Sequence, residues 1–371
     1  MRRARPSGWA RWSLPASAAG QAAFPVSGRS QARSISGFSS SSPPSSQACW
    51  CWRGRSGAGG GAAEGPDVRD CAGFARLRYR GMIAGIDLGG TQVRLALARS
   101  DGRIVSSVRT STALLGTPRR LASWAAEQVA RHGGDGVRRA AIGAPGPIDV
   151  KNGVLVNPPN LLGWKNVPLS AILGEALGCP VGLENDANVA GLGEFHQGAG
   201  RGSRTMVYIT WSTGVGGALI LDGELFSGAH GAAGELGHMV LDPEGPLDSC
   251  GQRGCVEAFC GGRSLSAQGG ASAAELFQSA AGGDAEAAAV VRRVATYMGH
   301  ALINLTNLVD PDVIVIGGGV TQSWQQVAPV MEQVLRASPF IKPARRPKLR
   351  RGRLGDRAGQ VGAVEWARTH L

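Results

Sequence analysis

At 371 residues the chain is long enough for two domains with cores of their own, and its 43% apolar content is that of an ordinary soluble protein. No apolar run approaches the length of a membrane span, which argues against a transmembrane helix. The formal charge of +12 resembles a nucleic-acid footprint until it is located: residues 1–81 hold twelve Arg, no Lys and three acids (Glu64, Asp67, Asp70), or +9, leaving +3 for residues 82–371 and no electrostatic case for nucleic acid there.

Residues 1–81 are rich in Arg, Ser, Gly and Pro and show no period of 2 or 3.6. The tract reads as a low-complexity basic extension: a mis-called segment upstream of a start at Met82, an organelle transit peptide, or a basic nucleic-acid arm. The first is favoured, because a strong strand begins at Met82. Four of the seven cysteines (Cys179, Cys250, Cys255, Cys260) lie beyond the tract, and the last three cluster beside His238. That clustering suits metal ligands rather than a disulfide framework, so a reducing, cytoplasmic setting is expected.

Residues 82–87 read as a buried strand, Leu88-Gly89-Gly90-Thr91 as a turn, and residues 93–98 as the returning strand, with a third strand near 104–108. A helix is expected over 118–132, with Pro118 in its first turn. A short strand at 140–143 then runs into a Gly/Pro loop. Glu184-Asn185-Asp186-Ala187-Asn188 follows a strand at 180–183 and opens a helix to about 196. One reading of it is an N-cap; four polar side chains are a crowded way to cap one helix, so Asp186 is a candidate proton acceptor and Asn185 a candidate hydroxyl binder. Strand, Gly/Thr turn and strand then recur at 206–210, 212–217 and 218–221, which suggests two related α/β halves. Apolar residues at 290, 294, 298, 301, 305 and 308 predict one face of a helix. A strand over 312–316, a turn at Gly317-Gly318-Gly319 and a helix over 321–335 follow, and alternation of this kind predicts an α/β fold.

Both Gly/Thr turns can bind phosphate. Glycines let backbone N–H groups converge on an anion, the hydroxyls of Thr91 and Thr213 add donors, and Asp87 can hold hydrated Mg²⁺. Neither turn matches G-x-x-x-x-G-K-[ST], which excludes a P-loop enzyme. Between residues 234 and 257 lie His238, Cys250-x4-Cys255 and two carboxylates, Glu235 and Glu257. The first three read as a zinc clip, and the carboxylates suit the hydroxyls of a polyol.

Together these residues resemble the repressor–ORF–kinase (ROK) family of sugar kinases over nearly all of residues 82–371. The marks are Asp87-Leu88-Gly89-Gly90-Thr91, Gly143-Ala144-Pro145-Gly146-Pro147, Pro159-Asn160-Leu161 with Trp164, residues 184–188, 212–217, 234–238, 250–257 and 317–319. The resemblance implies a two-domain actin/hexokinase-like (RNase H-like) α/β fold with an interdomain cleft. The expected division is 82–190 for the first domain and 191–371 for the second, which carries the zinc loop and a last helix packing back on the first. By matched position it implies Asp186 as catalytic base, with Asn160, Asn185, Glu235, His238 and Glu257 binding sugar hydroxyls. Asp87, Gly89, Gly90, Thr91, Thr213 and Gly214 would line the ATP phosphates, and Gly318 and Gly319 the nucleoside. His238 would also bind structural Zn²⁺.

The sequence departs from the family at Asp248, which stands where the first cysteine of a Cys-x-Cys-x4-Cys pattern is usual. Zinc accepts carboxylate, so the ligands are read as His238, Cys250, Cys255 and Asp248, with Cys260 the alternative fourth. Ser212 stands where Gly is usual. The expected activity is MgATP-dependent phosphorylation of a hexose at its C6 hydroxyl, glucose first, by a homodimer. The alternatives are another sugar (N-acetylglucosamine, N-acetylmannosamine or fructose) or a non-catalytic sugar-responsive regulator.

Overall fold

Strict alternation places the residues of the first strand on two different surfaces. In β1 (Met82–Leu88), Ala84, Ile86 and Leu88 enter one core, while Ile83, Gly85 and Asp87 face the other way. β1 pairs antiparallel with β2 (Gln92–Ala98), and β2 with β3 (Ile104–Ser111). On its other side β1 pairs parallel with β4 (Val137–Ala144), and β4 with β5 (Val181–Asn185). The sheet order is therefore β3-β2-β1-β4-β5. Helix α1 (Pro118–His132) buries Leu121, Ala122, Ala125 and Val129, and α2 (Leu169–Leu177) buries Leu169 and Leu173, all in the core under Ile86 and Leu88. Each fully buried Leu or Ile there is worth about 1.5–3 kcal/mol.

The second sheet repeats the plan. β6 (Met206–Trp211), β7 (Val215–Leu221) and β8 (Glu224–Leu225) form an antiparallel meander, and β9 (Val313–Gly317) and β10 (Lys348–Arg351) add in parallel, in the order β8-β7-β6-β9-β10. Between β8 and β9 the chain runs through the short helices α4 (Val256–Cys260) and α5 (Gly262–Gly269), then α6 (Ala273–Ala281) and the long α7 (Ala285–Val309). Val294, Met298 and Leu305 of α7 and Met331 of α8 (Trp324–Ala337) cover Ile209, Trp211, Ile314 and Ile316.

The two sheets are joined by a pair of helices. α3 (Asp186–Gln197) lies on β6 and β7, α9 (Ala358–His370) lies on β1 and β4, and the two helices pack against each other. Their approach is so close that a Cβ on Gly362 would overlap the Val189 carbonyl, and one on Gly193 the Ala358 carbonyl. Beneath α9, a Cβ on Gly85 would overlap the Gln360 carbonyl, and Ile83 and Ala141 pack on Val364 and Ala367.

This computed structural model describes residues 81–132, 136–269 and 272–371, so the expectations for residues 1–80 lie outside the described residues. Among the described residues no helix is long and apolar enough to cross a membrane. Three local expectations are corrected. The third strand runs on to Ser111 because it stays paired with β2 as far as Gln92. The helix expected from 321 begins at Trp324, after a tight 3-10 turn over Gly319–Ser323, and ends at Ala337. Leu308 is 79% exposed, while Val290, Val294, Met298, Ala301 and Leu305 are buried: at the end of α7 the helix has turned position 308 out of the stripe.

Candidate active site and metal centre

The first turn, Gly89-Gly90-Thr91, joins β1 to β2. Gly89 N–H donates to the Gln92 carbonyl (2.9 Å), and the Thr112 hydroxyl and N–H donate to the carbonyls of Gly89 (2.7 Å) and Thr91 (2.9 Å). The turn is thus held by its carbonyls, and the exposed Gly90 and Thr91 offer their remaining polar groups to the cleft. Gly89 and Gly90 are not among the glycines with positive φ. What calls for glycine is close approach: a Cβ on Gly90 would lie 3.1 Å from the Cβ of Asn160.

Asp87, at the end of β1, faces the start of α9, where a Cβ on Gly359 would crowd its carboxylate. Arg94 Nη1 lies 3.4 Å from Asp87, while its Nη2 meets Asp356 (3.3 Å) and Gln92 (3.0 Å). Burial pushes the Asp87 carboxyl up to about 6 against the pull of Arg94, and the charge of Asp186 adds to the rise.

The second turn joins β6 to β7. Ser212 N–H donates to the Gly214 carbonyl (2.9 Å), and Val215 N–H to Glu257 Oε2 (2.6 Å). Gly214 leaves room for that carboxylate, which a Cβ would overlap. Glu257 comes from α4, whose neighbour α5 is stitched to the same turn: Gly262 N–H and Arg263 N–H donate to the carbonyls of Ser212 and Thr213, each at 2.9 Å. Gly318 (φ +85°) crosses the Trp211 backbone where a Cβ would collide, and Gly319 abuts Ser212.

Residues 184–188 divide their labour. Glu184, buried, accepts from Asn185 N–H (2.8 Å) and Asn188 Nδ2 (2.9 Å). Asn185 caps α3, its Oδ1 accepting from Ala187 N–H (2.9 Å) and Asn188 N–H (3.3 Å), which leaves its Nδ2 donors for a ligand. Asp186 accepts from Ala187 N–H (2.7 Å). Burial raises the Asp186 carboxyl above the ordinary carboxylate range, the Ala187 bond opposes this, and the charge of Glu235 adds to it.

Glu235 precedes a 3-10 turn, Leu236–His238, and its Oε2 is 4.0 Å from His238 Nε2. His238 Nδ1 is buried with no hydrogen-bond partner, and it points into a group of donors in which His238, Asp248, Cys250 and Cys255 place one ligand atom each within 4.8 Å of one another. An orphaned imidazole nitrogen beside two sulfurs and a carboxylate oxygen fits tetrahedral zinc. Burial and the hydrogen bond with Asp248 push the Cys250 thiol up to about 11, and a bound cation would reverse that. Cys260 is no part of this group: its Sγ donates to the Val294 carbonyl (3.6 Å) in the core under Trp211.

The sequence-derived residues fall into three groups: Gly90 beside Asn160; Glu257, Gly318 and Gly319 against the second turn; and His238 with the metal donors, beside Glu235, whose charge is felt by Asp186, as that of Asp186 is by Asp87. Sequence reasoning assigned no role to Glu184, Asn188, Arg94 or Arg263. Glu184 and Asn188 were visible as excess polar residues at a helix start; Arg94 and Arg263 carried no local signal, since their partners lie on other elements.

Residues 83–370 match the family model described as the ROK family. The chain is 32% identical to a glucokinase of Halalkalibacterium halodurans (75% of this chain, 92% of that protein) and 31% identical to an N-acetylmannosamine kinase of Yersinia pestis (77% and 98%). Among solved structures it is similar to a ROK hexokinase from Thermus thermophilus (38% identity, TM-score 0.68, 77% and 97% covered). It is also similar to a ROK family glucokinase from Streptomyces griseus in complex with glucose and AMPPNP (30%, TM-score 0.65, 78% and 99%). With two sheets of one topology and these relatives, the chain belongs to the ROK family of sugar kinases and has its two-domain actin/hexokinase-like α/β fold.

Proposed function

We propose that the chain transfers the γ-phosphoryl group of MgATP to the C6 hydroxyl of a hexose, with glucose the preferred acceptor. What supports this most is Asp186: a carboxylate at the end of β5, made more basic by burial and by Glu235, on the element that joins the halves carrying the two turns. A more basic carboxylate is a better proton acceptor for a hydroxyl. Asp186 takes the proton of the sugar hydroxyl as its oxygen attacks in line. Asn185 Nδ2, Asn160, Glu235, Glu257 and His238 Nε2 hold the remaining hydroxyls. The turns at Gly89, Gly90 and Thr91 and at Thr213 and Gly214 flank the phosphates, and Gly318 and Gly319 the nucleoside. Mg²⁺ entering with ATP would neutralise phosphate charge, and Asp87 would hold its water shell.

Zinc on His238 Nδ1, Asp248, Cys250 and Cys255 would lock the imidazole so that Nε2 faces the sugar beside Glu235. The AMPPNP complex of the Streptomyces griseus relative supports ATP as donor, and the two glucokinases support glucose. The N-acetylmannosamine kinase relative favours a second reading, an N-acetylated hexose as acceptor. A coupled ADP-release assay on the full-length protein, with MgATP and a panel of hexoses and N-acetylhexosamines, tests both. The highest kcat/KM is expected with glucose. A higher value with N-acetylmannosamine would install the second reading, and no ADP release with any sugar would leave the regulator.

A further inference from the structure

We propose that Arg263 is the phosphate-binding cation of the cleft, its guanidinium leaving Asn160 to grip the β- and γ-phosphoryl oxygens of the donor and so draw the two halves together. The inference rests on the phosphoryl-transfer reading. Arg263 opens α5, and its own N–H and that of Gly262 are bonded to the carbonyls of Thr213 and Ser212, so its backbone is fixed to the second turn. Its Nη2 lies 3.5 Å from Oδ1 of Asn160, whose Cβ in turn sits against Gly90 of the first turn. Arg263, anchored by its backbone on the second turn, therefore reaches the first through Asn160. A distance of 3.5 Å is the weak end of hydrogen bonding, so little is lost when the guanidinium turns to a stronger acceptor.

Charge points the same way. Asp87, Asp186, Glu235 and Glu257 all lie along the site, and a triphosphate brought among them needs more positive charge than one Mg²⁺. Arg94, the cation at the first turn, is engaged by Asp87, Asp356 and Gln92. Arg263 forms no ion pair with a carboxylate among the described residues, and a guanidinium fork matches two phosphate oxygens at once.

The test compares the parent with Arg263→Ala and Arg263→Lys, by calorimetric titration with Mg-AMPPNP, with tripolyphosphate and with glucose, and by kinetics. In Arg263→Ala the Kd for AMPPNP and tripolyphosphate should weaken at least tenfold and kcat should fall about 10²- to 10³-fold, while the glucose Kd stays within twofold; Lys should restore part of the loss. Unchanged AMPPNP affinity and kcat would overturn the proposal. So would weakened glucose binding with normal AMPPNP binding, which would make the Asn160 contact its whole role. The side chain is exposed, and thermal melts would verify that both variants fold. A parent that binds AMPPNP but phosphorylates no sugar would sink the function and still let the titrations judge Arg263; a parent that binds no AMPPNP would overturn both.

Discussion

Burial raises the Asp186 carboxyl and the charge of Glu235 adds to the rise, so its proton is held more tightly than that of an ordinary aspartate, as the proposed base for a sugar hydroxyl requires. Asp186→Asn keeps the shape and leaves the cap to Asn185, so α3 should form unchanged. Turnover should drop about 10³-fold or more while sugar Kd moves only a few-fold; near-normal turnover would remove Asp186 from the chemistry. The sign of the pH effect follows from the raised carboxyl: the base form is lost earlier as pH falls, so the acid limb of kcat/KM should have its midpoint above the ordinary value of about 4. A limb at or below that value would contradict the burial argument. At this scale the sequence singled out the residues clustered in motifs, Asp186, Asn185 and Glu235 among them. It was silent on Arg263, because an arginine at a helix start acquires meaning only from Asn160, an element away in space and on the other half.

Among the elements, the segment from Gly234 to Glu257 has few stabilising resources of its own. Before α4 it contains one 3-10 turn, the isolated bridges Val240 to Cys255 and Leu247 to Arg253, and loop hydrogen bonds such as Asp248 N–H to the Gln252 carbonyl, with the four metal donors gathered among them. Zinc removal by chelation should therefore loosen Glu235 and His238 without melting either sheet. Sugar KM should rise and turnover fall at least tenfold, with far-ultraviolet circular dichroism nearly unchanged. Full activity in metal-free protein would show that the clip does not hold the site. Asp248→Ala should lower zinc content in parallel, measured by atomic emission. Legibility was uneven at this scale. The helix at 118–132 was readable with Pro118 in its first turn, whereas α9 was expected only through the resemblance, because Gly359, Gly362 and buried Gln360 and Glu365 interrupt any apolar stripe. Its composition answers to the surface of α3 rather than to helix periodicity. β10 was hidden for the opposite reason: an exposed edge strand of Lys and Arg shows no apolar alternation.

For the molecule as a whole, the repeated Gly/Thr turn in the sequence did disclose a duplication, and the identical strand order of the two sheets is its structural form. A last helix packing back on the first half was expected from the resemblance; its crossing with α3, the joint between the halves, was not foreseen. It is made by α3 and α9 meeting at Gly193 and Gly362 with no side chain between them, beside a buried Glu194 that accepts from the N–H groups of Ala199, Arg353 and Leu354 at 2.8–3.0 Å. Gly362→Ala would force the helices apart against the Val189 carbonyl, and a loss of about 3 kcal/mol or more is expected in denaturant unfolding. A variant as stable as the parent would show that the crossing yields easily.

The same joint sets an order on synthesis. β1 leaves the ribosome well before the residues that cover Ile83, Gly85 and Ala141, which are Gln360, Val364 and Ala367, far downstream in the chain. Translation of the entire second half intervenes, and throughout it the nascent first sheet carries a bare apolar face. A chain cut before Gln360 would thus uncover the first sheet rather than the second, and chaperones would meet the fault there.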